Sequence, residues 1–124
     1  MAIRLKRVYD PPSPEDGFRL LIMRLWPRGI RKTAVSTWEK ELGPSLDLLK
    51  GFRAGKVGWE EYTRRYRAEM AAKPDLLRAW AERARREDIT LLCGCKDESH
   101  CHRLLLKDLL EQLQISLVSK EIPS

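Results

Sequence analysis

Long apolar runs are missing from this chain of 124 residues, and with them any segment near the roughly 20 apolar residues that a bilayer span requires. The opening residues Met1-Ala2-Ile3-Arg4-Leu5-Lys6-Arg7 lack the apolar core of a signal peptide. Cysteine is scarce: three residues, an odd number, crowded between positions 93 and 101, make a poor disulfide framework. Reduced thiols in a soluble cytoplasmic protein without a membrane role are therefore expected. Internal repeats and low-complexity tracts are absent, and the length suits a single domain over 1–124 that buries enough apolar surface to fold without staples.

What the chain has is charge. Twenty-four Lys and Arg against eighteen Asp and Glu give a formal charge of +6, which steers anionic partners toward the protein without choosing among nucleic acid, a phosphorylated metabolite and a carboxylate.

Periodicity gives an order of elements. Ile3 to Tyr9 alternates like a strand, and the three prolines and glycine of Asp10 to Gly17 form a surface loop. Phe18 to Leu25 is nearly uninterrupted apolar, as a strand in the middle of a sheet would be, and Trp26-Pro27-Arg28-Gly29 ends it. Trp38 to Leu42 is too short to classify. Gly43-Pro44-Ser45 opens a helix through Phe52, with Ser45 as its cap. Trp59, Tyr62, Tyr66 and Met70 mark one helix face, stopped at Lys73-Pro74, and Leu76, Leu77, Trp80, Ala81 and Ala84 mark another through Arg86. Ile89 to Cys93 reads as a buried strand, Leu104 to Leu113 as a helix, and Ile115 to Val118 as a final short strand.

This order predicts a single-domain α/β sandwich with a largely parallel central sheet flanked by helices. With a helical crossover between them, Phe18–Leu25 and Ile89–Cys93 would be neighbours. The Trp26-Pro27-Arg28-Gly29 loop and the segment Cys93 to Arg103 would then share the C-terminal edge of the sheet, where such sheets bind ligands.

The Cys93–Arg103 segment holds every cysteine and both histidines of the chain. Thiolates and imidazoles are the ligands zinc prefers, but Cys93 and Cys95 would share one face of a continuing strand, and no second pair of ligands exists elsewhere. The spacing argues against a metal, and neither a metal nor another cofactor is assigned. The interval from Cys95 to Arg103 is longer than the phosphate cradles of cysteine phosphatases and rhodaneses, and it contains Asp97 and Glu98. Cys101 is the better-placed thiol if Ser99 caps the following helix, since a first-turn thiol has a lowered pKa. The remaining reading is noncovalent binding of an anionic, phosphate-bearing small molecule by Arg24, Arg28, Lys96 and Arg103 at a helix N-terminus, with Trp26 available for stacking. His102 would be the general acid or base of any reaction, with Cys101 as the candidate nucleophile. A nucleic-acid module using Arg64-Arg65-Tyr66-Arg67 and Arg83-Ala84-Arg85-Arg86 is the alternative, weakened by the glutamates that interrupt both clusters.

Four blocks carry a family resemblance: Arg7-Val8-Tyr9-Asp10-Pro11, Arg24-Leu25-Trp26-Pro27-Arg28-Gly29, Trp38-Glu39-Lys40-Glu41-Leu42-Gly43-Pro44-Ser45 and Leu91-Leu92-Cys93-Gly94-Cys95-Lys96-Asp97. From about Ile3 to Leu113 the chain resembles the bacterial YeaO-like proteins, domain of unknown function 488. The resemblance implies a small α/β domain of no established activity. It also implies that tyrosine, serine, alanine and asparagine stand in relatives where this chain has Cys93, Gly94, Cys95 and Cys101, while Lys96 and His102 keep their types. A role for the thiols would then belong to one branch of the family, as a cysteine-dependent enzyme or a zinc-binding protein.

Overall fold

Alternation along four short strands divides a sheet into an apolar face under the helices and a mixed opposite face. The computed structural model describes residues 2–121. Strands β1 (Ile3–Arg7), β2 (Phe18–Leu21), β3 (Thr37–Trp38) and β4 (Ile89–Cys93) pair in parallel in the order β1-β4-β2-β3. Ile89 of β4 lies beside Ile3 on one flank and Phe18 on the other. Strands Phe18–Leu21 and Ile89–Cys93 are thus neighbours, as the crossover argument required, and the sheet is wholly parallel.

Four helices follow the apolar stripes: α1 (Leu46–Arg53), α2 (Trp59–Ala71), α3 (Pro74–Arg86) and α4 (His102–Glu121). Ser45 caps α1 by accepting the Leu48 N–H, and Glu69 of α2 accepts both the Ser45 N–H and hydroxyl, so the cap also ties α1 to α2. Pro74 occupies the first turn of α3, where its missing N–H removes nothing from the helix. Leu20, Ile22, Ile89 and Leu91 from the sheet, Tyr62, Tyr66 and Met70 from α2, Leu77, Trp80 and Ala84 from α3, and Leu106 and Leu110 from α4 form one core. On the opposite face Val8, Leu21 and Leu92 form a smaller cluster beneath Met23, Trp26, Ile30 and Val35.

A buried polar hub closes the N-terminal side of the sheet. Asp16 accepts bonds from the Ser13 N–H and hydroxyl, from Lys6 Nζ and from the Arg19 guanidinium, while its own carbonyl accepts from the Thr90 hydroxyl. Gly17 follows with φ +61°, and a Cβ there would overlap the Asp88 carbonyl, so the entry to β2 needs glycine on both counts.

Three expectations are corrected. The segment Ile115–Val118 is not a strand: α4 runs through it, because no glycine or proline interrupts the chain and Leu113 and Leu117 continue the buried stripe of Leu106 and Leu110. The same helix begins at His102, two residues earlier than the leucine pattern suggests. The strands Ile3–Tyr9 and Phe18–Leu25 are cut to Ile3–Arg7 and Phe18–Leu21, since a sheet strand lasts only as long as its partner and β4 ends at Cys93. The two-residue β3 was invisible to periodicity, which needs more residues than it has. Among the described residues no helix is long and apolar enough to cross a membrane.

Candidate functional site

The carboxyl ends of β1, β4 and β2 open into a cavity of about 360 Å³, and each strand sends its next residues into the wall. Tyr9 comes from β1, Met23, Arg24 and Leu25 from β2, and Cys93, Gly94 and Cys95 from β4; Phe52, Arg53 and Tyr62 of α1 and α2 close the other side, and His100, Cys101 and His102 complete it. None of its described lining residues carries a carboxylate.

Close backbone approach sets this wall. A Cβ at Gly43 would lie 2.6 Å from the Arg24 nitrogen, and the Arg24 side chain reaches across the same contact, with Nε on the Pro44 carbonyl at 2.9 Å and Nη2 on the Gly43 carbonyl at 3.2 Å. Gly43→Ala is therefore expected to destabilise the fold by about 1–3 kcal/mol, the usual range for forced overpacking, read as a lower Tm; an unchanged Tm would show that this backbone gives way freely.

At the cavity floor the thiols converge. Cys93 and Cys95 are 3.6 Å apart at sulfur, and the sulfurs of Cys93, Cys95 and Cys101 all lie within 4.8 Å of one another. Nδ1 of His102 is 4.0 Å from the Cys93 sulfur and 3.9 Å from that of Cys101. Its Nε2 is 2.7 Å from the Ile22 carbonyl, which can only accept, so Nε2 carries a proton and Nδ1 is the nitrogen that faces the sulfurs. In this buried group the Cys101 thiol is pushed down, because Cys93 and Cys95 donate to its sulfur and His102 pairs with it. Donation to Cys101 pushes Cys93 up to about 12 and Cys95 up as well. Burial works against a charged His102, but its bond to Cys101 prevails and raises it. Burial also raises the phenols of Tyr62 and Tyr66.

The predicted site residues divide. Cys101, His102 and Arg24 line the cavity, whereas Trp26, Arg28, Lys96 and Arg103 do not. Arg103 is 1 % exposed, with Nη2 on the Cys95 carbonyl at 3.0 Å, and supports the thiol loop from within. The Trp26 indole donates to the Ile30 carbonyl and meets Trp38 edge-on, which makes it part of the loop's own packing. Arg28 touches the site only through its carbonyl, which accepts from the Tyr9 hydroxyl at 3.2 Å, and Lys96 is exposed. Ser99 does not cap α4; it closes a short turn with Asp97, and His100 shares that carboxylate at 2.7 Å.

Sequence reasoning missed Arg53, which enters the wall from the last turn of α1, and the aromatic wall of Phe52 and Tyr62, whose ring centroids are 4.3 Å apart. The amphipathic stripe of α2 signalled Tyr62 as core, and nothing local showed that the core ends in a cavity.

The arginine-rich helices present mostly satisfied charges. Arg65 meets Asp47 and Glu61, Arg67 meets Asp108, Arg83 meets Glu87 while lying over the Phe18 ring, and Arg85 meets Glu82.

Comparison with known proteins places the chain. Residues 3–114 match the family model DUF488-N3a, described as the active DUF488-N3 subclade. The uncharacterised protein YeaO of Escherichia coli K12 is 41 % identical over 115 residues, covering 91 % of this chain and all of YeaO. An uncharacterised protein of Mycobacterium bovis is 37 % identical over 70 residues, 55 % of this chain and 59 % of that protein. No solved structure matches. The chain belongs to the DUF488 family of YeaO-like proteins.

Proposed function

We propose that this protein binds a small anionic molecule, phosphate-bearing and with an apolar body, in the cavity at the carboxyl ends of β1, β4 and β2. One observation carries the reading: the cavity is lined by Arg24, Arg53 and His100 and by no described carboxylate, while Met23, Leu25, Phe52 and Tyr62 supply apolar walls. Arg24 is committed to the Pro44 and Gly43 carbonyls and to Glu41, so its charge is fixed in place. Arg53 is exposed and has no ion-pair partner among the described residues, which leaves its guanidinium for the ligand. Cys101 and His102 stand at the floor, below the space where the ligand would sit.

Phenyl phosphate, an aromatic body with one phosphate, is a suitable probe in titration calorimetry. Binding is expected, and Arg53→Ala should weaken it about tenfold or more, since a hydrogen bond to a charged group contributes about 1.5–3 kcal/mol. Equal affinity for the uncharged phenol, or no heat at millimolar phenyl phosphate, would remove the anionic reading. The nucleic-acid alternative gains no support from helices in which Arg65, Arg67, Arg83 and Arg85 already pair with carboxylates.

A further inference from the structure

Three thiols cluster below this cavity, with the His102 imidazole against two of them, from three pieces of chain: the last residue of β4, the segment after it, and the start of α4. We propose that Cys93, Cys95, Cys101 and Nδ1 of His102 form a tetrahedral site for one zinc(II) ion. Zn–S bonds of about 2.3 Å at tetrahedral angles place two sulfurs about 3.8 Å apart, and a nitrogen at about 2.0 Å lies about 3.5 Å from each sulfur. The Cys93–Cys95 separation of 3.6 Å and the His102 Nδ1 distances of 4.0 Å to Cys93 and 3.9 Å to Cys101 are close to those values; the widest sulfur pair, within 4.8 Å, needs a contraction of no more than about 1 Å, and closing the site brings Nδ1 onto the same ion as Cys95.

Two further features point the same way. A ligating histidine characteristically donates its other ring N–H to a carbonyl or carboxylate, and here Nε2 is held by the Ile22 carbonyl at 2.7 Å, which turns Nδ1 toward the thiols. Arg103 is a buried cation with Nη2 on the Cys95 carbonyl, an Nε without a partner, and no carboxylate in contact among the described residues. Three thiolates and a neutral imidazole around a divalent cation carry one net negative charge, which this guanidinium matches. The donor set holds no carboxylate oxygen, which disfavours magnesium and calcium. Binding exchanges thiol protons for the metal, with no change of oxidation state and with the protons passing to solvent. With four protein ligands the site is closed, so the ion would tie the end of β4 to the start of α4 rather than act on a substrate. The inference stands apart from the anion reading, since metal content is measured without any ligand in the cavity.

The test is zinc analysis of the full chain, purified reduced and without chelators or metal-affinity resin, with uptake of zinc measured against a chromophoric chelator. About one zinc per chain is expected, together with thiols that react with a disulfide reagent only after chelation, and cobalt(II) substitution should give thiolate charge-transfer bands and the intense d–d bands of a tetrahedral ion. Cys95→Ser, at a half-buried position, should weaken zinc binding about a hundredfold or more while circular dichroism confirms its fold. Less than about a tenth of an equivalent in the wild-type chain, with no stoichiometric uptake on titration, overturns the site, as would stoichiometric iron or copper in place of zinc.

Discussion

Asp16→Asn should lower the unfolding free energy at pH 7 by about 3–5 kcal/mol, the range found when one partner of a buried ion pair is removed. The substitution keeps the shape of the side chain but leaves Arg19, 7 % exposed, without the carboxylate its guanidinium contacts, and it weakens the grip of Lys6 and Ser13 on the same loop. Against a total stability of about 5–15 kcal/mol this is a large fraction, so urea unfolding should resolve it readily. Its pH dependence gives a second reading. Burial acts to raise the Asp16 carboxyl, but the bonds from Ser13, Lys6 and Arg19 prevail and hold it at about 2, below its ordinary 3.8. Because the folded value lies below the unfolded one, the contribution is complete well above pH 3.8 and is lost as the pH falls from there through about 2. Between pH 7 and pH 2 the wild-type chain should lose about 2 kcal/mol more stability than the Asn variant. Parallel losses in the two proteins would mean that the carboxyl titrates normally.

Tyr66→Ala is expected to destabilise by about 3–5 kcal/mol, as large aromatic truncations in cores do. Tyr66 is fully buried, stacks on Tyr62 with ring planes 6° apart, and packs its ring 5.6 Å from that of His102. Its hydroxyl donates to the buried Leu42 carbonyl at 2.7 Å, and burial holds the phenol protonated well beyond the ordinary range. Tyr66→Phe removes only that bond and leaves a buried acceptor unsatisfied, so about 1–3 kcal/mol is expected. The two variants separate ring packing from hydrogen bonding by denaturant titration. Because the ring supports His102, only the Ala variant should also speed the reaction of the floor thiols with a disulfide reagent in chelator-treated protein. Equal stability of the Phe and Ala variants would show that the cavity collapses around the missing ring.

Both predictions rest on residues that differ in how legible they were. The stripe Trp59, Tyr62, Tyr66 and Met70 was readable because helical spacing repeats over several turns and needs no knowledge of the partner surface. Asp16 was not, since its loop shows only prolines and a glycine, and what makes it a hub is the arrival of Lys6, Arg19 and Thr90 from three strands. The placement of Ile89–Cys93 beside Phe18–Leu21 was readable because parallel strands require a crossover, and the helices between them supply it. Ile115–Val118 misled because its β-branched residues suit a strand locally, while burial of Leu113 and Leu117 against the core decides for helix.

By itself, the sequence determined the parallel α/β frame, the faces of its helices and the edge at which Cys93–Arg103 emerges, because each follows from local periodicity and chain connectivity. Only the tertiary structure decided what that edge contains. Cys101 lies six residues beyond Cys95, a spacing that says nothing about distance until the intervening turn folds back and brings the three sulfurs within 4.8 Å. Charge alone could not separate Arg103, buried behind the thiol loop with Nη2 on the Cys95 carbonyl, from Arg24, which lines the cavity while held by the Gly43 and Pro44 carbonyls. Spacing along a chain constrains direction over a few residues; convergence of side chains depends on where separate elements end, and that is a property of the packed core.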